Sequence, residues 1–312
     1  MPTLSLHLFG RFSASCDGRS LHSFDGCKVQ ELFCYLLLYR KPHSREILAG
    51  TFWGDSSISQ SKKNLRQALW QLQATLKANF GPTPVLNVEA DRVSLNPALD
   101  LWLDVAEFEQ AFALMNQTST REWDESTARV LQDAVELYEG DLLEGCYQDW
   151  CLYERERLQN MYLAVVDQIV RYCETNQAFE RGLAYAARVL RYDPARERAH
   201  RQMMRLYFKG GDRTAALRQY ERCVSALRVE LGVGPSSRTL ALYNKIRADE
   251  LEPDAPKLDN TKMTSETATA LLPEVLAHLK EVRTTLSAIH RQVQKDIHTV
   301  ELALIGRRDS HS

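Results

Sequence analysis

The sequence repeats itself. Residues 166–194 align with residues 200–228 at a shift of 34, matching Val170 to Met204, Cys173 to Tyr207, Gly182 to Ala216, Leu183 to Leu217 and Val189 to Cys223. A self-similar period of this length describes a unit of two helices, and such a unit cannot bury its apolar face without a neighbour of its own kind. The small residues at 182 and 216 fall where two helices must approach closely. Pro194 ends the first unit, and the second departs from the pattern with Arg228 at the matching position. From Asp104 to about Arg247 helical periodicity runs almost without a break and strand signals are absent.

The first hundred residues have a different texture. Leu4 to Phe9 alternates apolar and polar residues, Gly10 permits a reversal, and Phe12–Cys16 and Arg19–Leu21 flank the turn Asp17–Gly18 as a hairpin. A helix is expected from Cys27 to about Arg40, stopped by Pro42. Ser44 is placed to cap a second helix, Arg45–Phe52. A third runs from Ser59 to Phe80, and Leu86, Val88, Val93 and Leu95 alternate around a turn at 89–92 as a closing hairpin. Strands, three helices and a hairpin in that order make a winged helix-turn-helix. The fold class expected is mainly α, with an α+β winged helix over residues 1–98. An all-α stack of tetratricopeptide-like helix pairs follows over 99–248, then a linker over 249–263 and a long helix over 264–312.

The third helix carries the chemistry. Leu65, Leu69, Leu72 and Leu76 form one apolar stripe. At about 100° per residue the opposite face presents Lys63, Gln67 and Trp70, with Arg66 and Gln73 on one flank and Asn64 and Gln71 on the other. That face has no acid among its own residues, and its side chains are those that pair with phosphates and base edges in a major groove. The candidate DNA-binding residues are therefore Lys62, Lys63, Asn64, Arg66, Gln67, Trp70 and Gln71, with Arg92 at the wing tip. Arg92 is either a phosphate contact or a solvated turn residue. Trp70 either touches a thymine methyl or packs on the helical stack. Charge is distributed accordingly: residues 1–100 hold 11 Lys/Arg and 8 Asp/Glu, leaving the surplus of acids to the remainder of a chain whose net charge is −2.

At the far end Leu272, Val275, Leu279, Val282, Leu286, Ile289 and Val293 recur at spacings of three and four, and Ile297, Val300 and Leu304 continue them. This is a coiled-coil seam, serving either oligomerisation or docking on the repeats. The seven cysteines show no paired spacing and no histidines at metal-ligand spacing, so neither a metal nor a disulfide framework is expected. The opening MPTLSLHLFGRF lacks the charged region, apolar core and cleavage site of a signal peptide, and no apolar run reaches membrane-spanning length, so a cytoplasmic protein with no membrane association is expected. There is no P-loop, no nucleophile with a positioned base and no cofactor motif, so an enzyme is not expected.

At this point the residues resemble a known family. Tyr138–Leu143 (YEGDLL), Trp150–Leu158 (WCLYERERL), Ala199–Tyr207 (AHRQMMRLY), Ala215–Leu217 (AAL), Tyr220–Leu227 (YERCVSAL) and above all Leu227–Tyr243 (LRVELGVGPSSRTLALY) resemble the bacterial transcriptional activator domain of the Streptomyces antibiotic regulatory protein family. Leu48–Gly54 (LAGTFWG) and Asn64–Leu76 (NLRQALWQLQATL) stand in the family's order ahead of it. The resemblance spans residues 4–247. It implies an OmpR-like winged helix at the N-terminus and a dimeric activator that binds direct repeats in double-stranded promoter DNA and recruits RNA polymerase holoenzyme. Base-reading positions carried over from the family fall on Lys63, Asn64, Arg66, Gln67 and Gln71. Many family helices carry arginine where this chain has Gln71 and Gln73, and the coiled-coil tail is not part of the family core. The alternative from another class is an interaction scaffold or effector-sensing regulator on the repeats, with an unknown protein or small molecule as partner and the winged helix docking protein. An acid-free Lys/Asn/Arg/Gln face argues against that, because protein-binding faces favour aromatics and Met.

Overall fold

A computed structural model describes residues 4–20, 27–80, 84–117 and 123–250. The chain begins with β1 (Leu4–His7), β2 (Ser13–Cys16) and β3 (Arg19–Ser20), an antiparallel meander. Asp17 and Gly18 sit between β2 and β3 with φ of 48° and 76°, the left-handed pair that a two-residue hairpin requires. Three helices follow: α1 (Cys27–Leu38), α2 (Arg45–Trp53) and α3 (Ile58–Phe80), with β4 (His43–Ser44) ahead of α2. Ser44 caps α2 as expected, its Oγ accepting the Glu46 N–H at 3.2 Å. Ser61 Oγ donates to the Trp53 carbonyl at 2.7 Å, which fastens the start of α3 to the end of α2.

The wing is β5 (Leu86–Val88) and β6 (Arg92–Leu95), and β4 pairs with β6 to make it three-stranded, in the order β4-β6-β5. Two residues of β4 are too few to give an alternating pattern, so that strand carried no sequence signal. The expected N-terminal sheet also gains a strand. Leu101–Leu103 forms β7, parallel to β1, giving the order β3-β2-β1-β7. The sheet therefore extends past residue 98 and draws on the segment that leads into the helical stack.

The stack is α4 (Asp104–Gln117), α5 (Glu125–Leu137), α6 (Asp149–Thr175), α7 (Phe179–Tyr192), α8 (Glu197–Lys209), α9 (Arg213–Leu231) and α10 (Ser237–Ala248). The 34-residue period is realised as the pairs α6–α7 and α8–α9. Gly182 lies where these pairs touch: a Cβ there would stand 3.0 Å from Leu206 Cδ1 and 3.2 Å from Cys173 Cβ. Its partner in the repeat, Ala216, is completely buried.

One apolar core runs from Leu4 in β1 to Leu206 in α8 and joins the winged helix to the stack. Trp150, in the first turn of α6, meets Tyr35 of α1 edge-on at 5.3 Å and Phe52 of α2 at 6.2 Å. The Tyr39 hydroxyl donates to Glu154 at 2.8 Å. Main-chain bonds seal the seam, from Leu143 N–H to the Leu8 carbonyl and from Gly10 N–H to the Asp141 carbonyl, at 2.8 and 2.9 Å. Residues up to 251 accordingly form one compact unit. The coiled-coil seam expected from Leu272 to Leu304 lies outside the described residues.

Candidate nucleic-acid interface

Helix α3 turns its leucine stripe inward, as its spacing requires. Leu65, Leu69, Leu72 and Leu76 are all buried, together with Ala68. The helix packs mainly on α2 and α1, so the direction of its outer face is fixed relative to the whole unit. On that outer face Lys63, Arg66 and Gln67 are exposed, and Trp70 is 70% exposed. Trp70 thus presents its indole to solvent instead of packing on the stack. Arg66 Nε bonds only weakly, to the Lys62 carbonyl at 3.4 Å, which leaves its guanidinium available.

The flanks differ from the sequence expectation. Asn64 and Gln71 are half-buried, and the Asn64 side chain accepts a hydrogen bond from Gln60 at 2.8 Å. Helix α3 has no acid of its own on this side, but α2 supplies one. Glu46 Oε1 lies 2.7 Å from Lys62 Nζ, and the hydrogen bond and charge of Lys62 hold the Glu46 carboxyl below its usual range. The Lys62 ammonium is therefore paired with an anion from α2, across a largely exposed contact. Sequence reasoning treated Glu46 only as a residue of the helix, because a pair sixteen residues apart has no periodic signature.

Arg92 is the first residue of β6, just past the wing turn, its side chain largely exposed and 3.5 Å from Asp91. Arg45 binds the wing to α2, with its N–H donating to the Asp91 carbonyl at 2.9 Å and its guanidinium to the Glu89 carbonyl at 3.1 Å. Wing tip, α2 N-terminus and α3 together border a cleft of about 670 Å3 between Arg45, Glu46, Lys62, Arg66 and Asp91. Arg45 and Glu46 belong with this surface, although their position at a helix cap suggested only local structure. The structure leaves Lys63, Arg66, Gln67 and Trp70 exposed together on the outer face of α3, with Lys62 at the edge of that patch.

Among the described residues no group of three or more His, Cys, Asp or Glu side chains is placed to hold a metal ion. No helix among them is long and apolar enough to cross a membrane.

Comparison with known proteins bears on the same elements. The family model of the bacterial transcriptional activator domain matches residues 103–247, from the end of β7 to the last turn of α10. Mycobacterium tuberculosis EmbR, solved in complex with a low-affinity phosphopeptide, superposes with a TM-score of 0.67 at 17% identity, covering 81% of this chain and 67% of that one. No curated protein sequence matches the chain. The EmbR superposition shows a shared fold, and the family match over α4–α10 leads to one assignment: residues 103–247 carry a bacterial transcriptional activator domain.

Proposed function

We propose that this protein is a sequence-specific DNA-binding regulator of transcription, an activator that reads promoter direct repeats with α3 and recruits RNA polymerase. The observation that carries the reading is the patch of Lys63, Arg66, Gln67 and Trp70, exposed on the outer face of a helix whose other side is locked into the core. Lys63 meets phosphate, Arg66 and Gln67 address base edges, and Trp70 covers an apolar edge such as a thymine methyl. Arg92 and Arg45 at the wing supply flanking phosphate contacts. The bacterial transcriptional activator domain over 103–247 supports a role in transcription, and its continuous core with the winged helix supports transmission between them. In this proposal the seam from Leu272 to Leu304 pairs two chains on adjacent half-sites.

The test is selection of bound fragments from genomic DNA, followed by titration of the selected site with wild type, Arg66→Ala and Arg218→Ala as a surface control on α9. A bidentate base contact is worth about 1–3 kcal/mol, so Arg66→Ala weakens the specific site by roughly tenfold or more while the control does not. Equal binding by wild type and Arg66→Ala removes α3 as the reader. Light scattering on the full chain and on a version ending at Asp249 tests the pairing: a dimer that becomes a monomer places it in the tail.

A further inference from the structure

A second charged surface lies on the helical stack, away from α3. Asp167, Arg171 and Glu174 share one face of α6, and Arg198, Arg201 and Arg205 share one face of α8. The two faces meet. Arg198 Nε lies 3.1 Å from Asp167 Oδ2, and Arg205 Nε lies 3.3 Å from Glu174 Oε1. Arg196 reaches the same Asp167 oxygen at 3.4 Å.

Arg196 and Arg198 therefore share one carboxylate, and Arg171 and Arg201 lie near enough to Arg198 for their charges to act on it. Asp167 is 1% exposed, and both its Oδ1 and Arg196 Nε are without a hydrogen-bond partner. Arg198 is held below its ordinary value first by burial and then by the charges of Arg171, Arg196 and Arg201, against the pull of Asp167. The other two acids are already engaged: Glu174 is shared by Arg205 and Lys209, and Glu197 accepts from Ser236 and Thr239 at the start of α10 and lies 3.5 Å from Arg201. With Arg171, Arg196, Arg198, Arg201, Arg205 and Lys209 set against Asp167, Glu174 and Glu197, the cluster is short of negative charge. Like-signed groups held together in this way are stabilised when an outside anion completes their neutralisation. Arginine suits a carboxylate in particular, because its planar fork bonds both oxygens.

We propose that this face of α6 and α8 docks an acidic peptide segment of a partner protein, whose carboxylates bridge Arg171 and Arg198. Helices α6 and α8 are the first members of successive pairs and lie against each other, so their charged faces form one continuous surface of the stack. Glu174 and Glu197, both half-buried, interrupt the positive surface on α6 and at the start of α8. A peptide can stagger its acids around them, whereas a phosphate backbone carries charge at every step. The surface is separate from α3, so this proposal stands or falls independently of the DNA reading.

The probe is fluorescein-labelled decaglutamate, titrated into the full chain by anisotropy at low salt. Wild type binds, and Arg171→Gln/Arg198→Gln weakens the probe by tenfold or more, while Arg218→Gln/Arg228→Gln on α9, with the same loss of charge, leaves it unchanged. Arg171→Gln alone, at an exposed position, gives a partial loss without disturbing the fold. An unmeasurable wild-type affinity overturns the proposal, as does equal weakening in both double variants or in neither. Unlabelled duplex DNA is then added in the Lys63→Ala/Arg66→Ala background, where α3 takes little of it. Failure to displace the probe supports a peptide site, and displacement overturns it in favour of a nucleic-acid surface.

Discussion

The carboxylate of Asp104 accepts the backbone N–H of Phe9 at 2.9 Å, and the same oxygen accepts that of Leu8 at 2.8 Å. Its other oxygen accepts the N–H of Val105 at 2.7 Å. Three buried donors are thus satisfied by the first residue of α4, two of them across a gap of some 95 residues in the chain. Each orphaned donor costs about 1–3 kcal/mol, so Asp104→Ala is expected to lose several kcal/mol of stability in chemical denaturation. Asp104→Asn keeps an acceptor for Leu8 and Phe9 and falls between.

Burial raises the Asp104 carboxyl above its ordinary value despite the three N–H groups that favour the ionised form. A folded value above the unfolded one makes this group's contribution complete below the unfolded value of about 3.9, and it declines as pH rises through the folded value. The stability advantage of wild type over Asp104→Asn should therefore narrow from pH 3 upward. An advantage that grows over the same range would mean that the N–H groups outweigh burial.

Trp150 joins the winged helix to the stack through Tyr35 and Phe52. Truncation to alanine in a core costs about 3–5 kcal/mol. Trp150→Ala should lower the melting temperature while leaving a single calorimetric transition for the unit up to residue 251. Two separated transitions would show that the halves melt on their own. For the same reason a fragment ending at residue 98 loses β7 and Asp104 and is expected to be far less stable than its length suggests.

Gly182→Ala tests the closest helix contact in the stack. Alanine favours a helix over glycine by about 1 kcal/mol, but the new Cβ would stand 3.0 Å from Leu206 and 3.2 Å from Cys173, both fully packed. Overpacking typically costs about 1–3 kcal/mol, so the net effect is a loss. A Gly182→Ala protein as stable as wild type would show that Leu206 has room to move.

Glu46→Gln and Trp70→Ala separate stability from DNA affinity. Removing the Glu46 charge frees Lys62 for phosphate, and the salt slope of binding should steepen by about one unit, with tighter non-specific binding. Trp70 lies on the surface, so its loss should change stability by no more than about 0.5 kcal/mol. If it lies against DNA, affinity falls by about 1 kcal/mol or more, roughly fivefold. Unchanged affinity would remove Trp70 from the interface.

Leucine spacing alone oriented α3, because a 3.6-residue period leaves only one way to bury Leu65, Leu69, Leu72 and Leu76. The same logic exposed Lys63, Arg66 and Gln67. Asn64 and Gln71 could not be graded this way, since the edge of a stripe is buried or open according to what packs beside it.

Local signals determined a great deal of this protein: the Asp17–Gly18 turn, the Ser44 cap, the three helices of the winged domain, the period of the stack and the small residue at 182. Each of these depends on neighbours within a few residues or on a repeated pattern that a sequence displays directly. Tertiary structure decided the rest. It paired Leu101–Leu103 with β1, tied Asp104 to Leu8 and Phe9, set Glu46 against Lys62 and brought Arg196 and Arg198 onto Asp167. These are single encounters between residues far apart in the chain, with neither period nor motif to announce them, and they form only when packing of the apolar stripes brings their elements together.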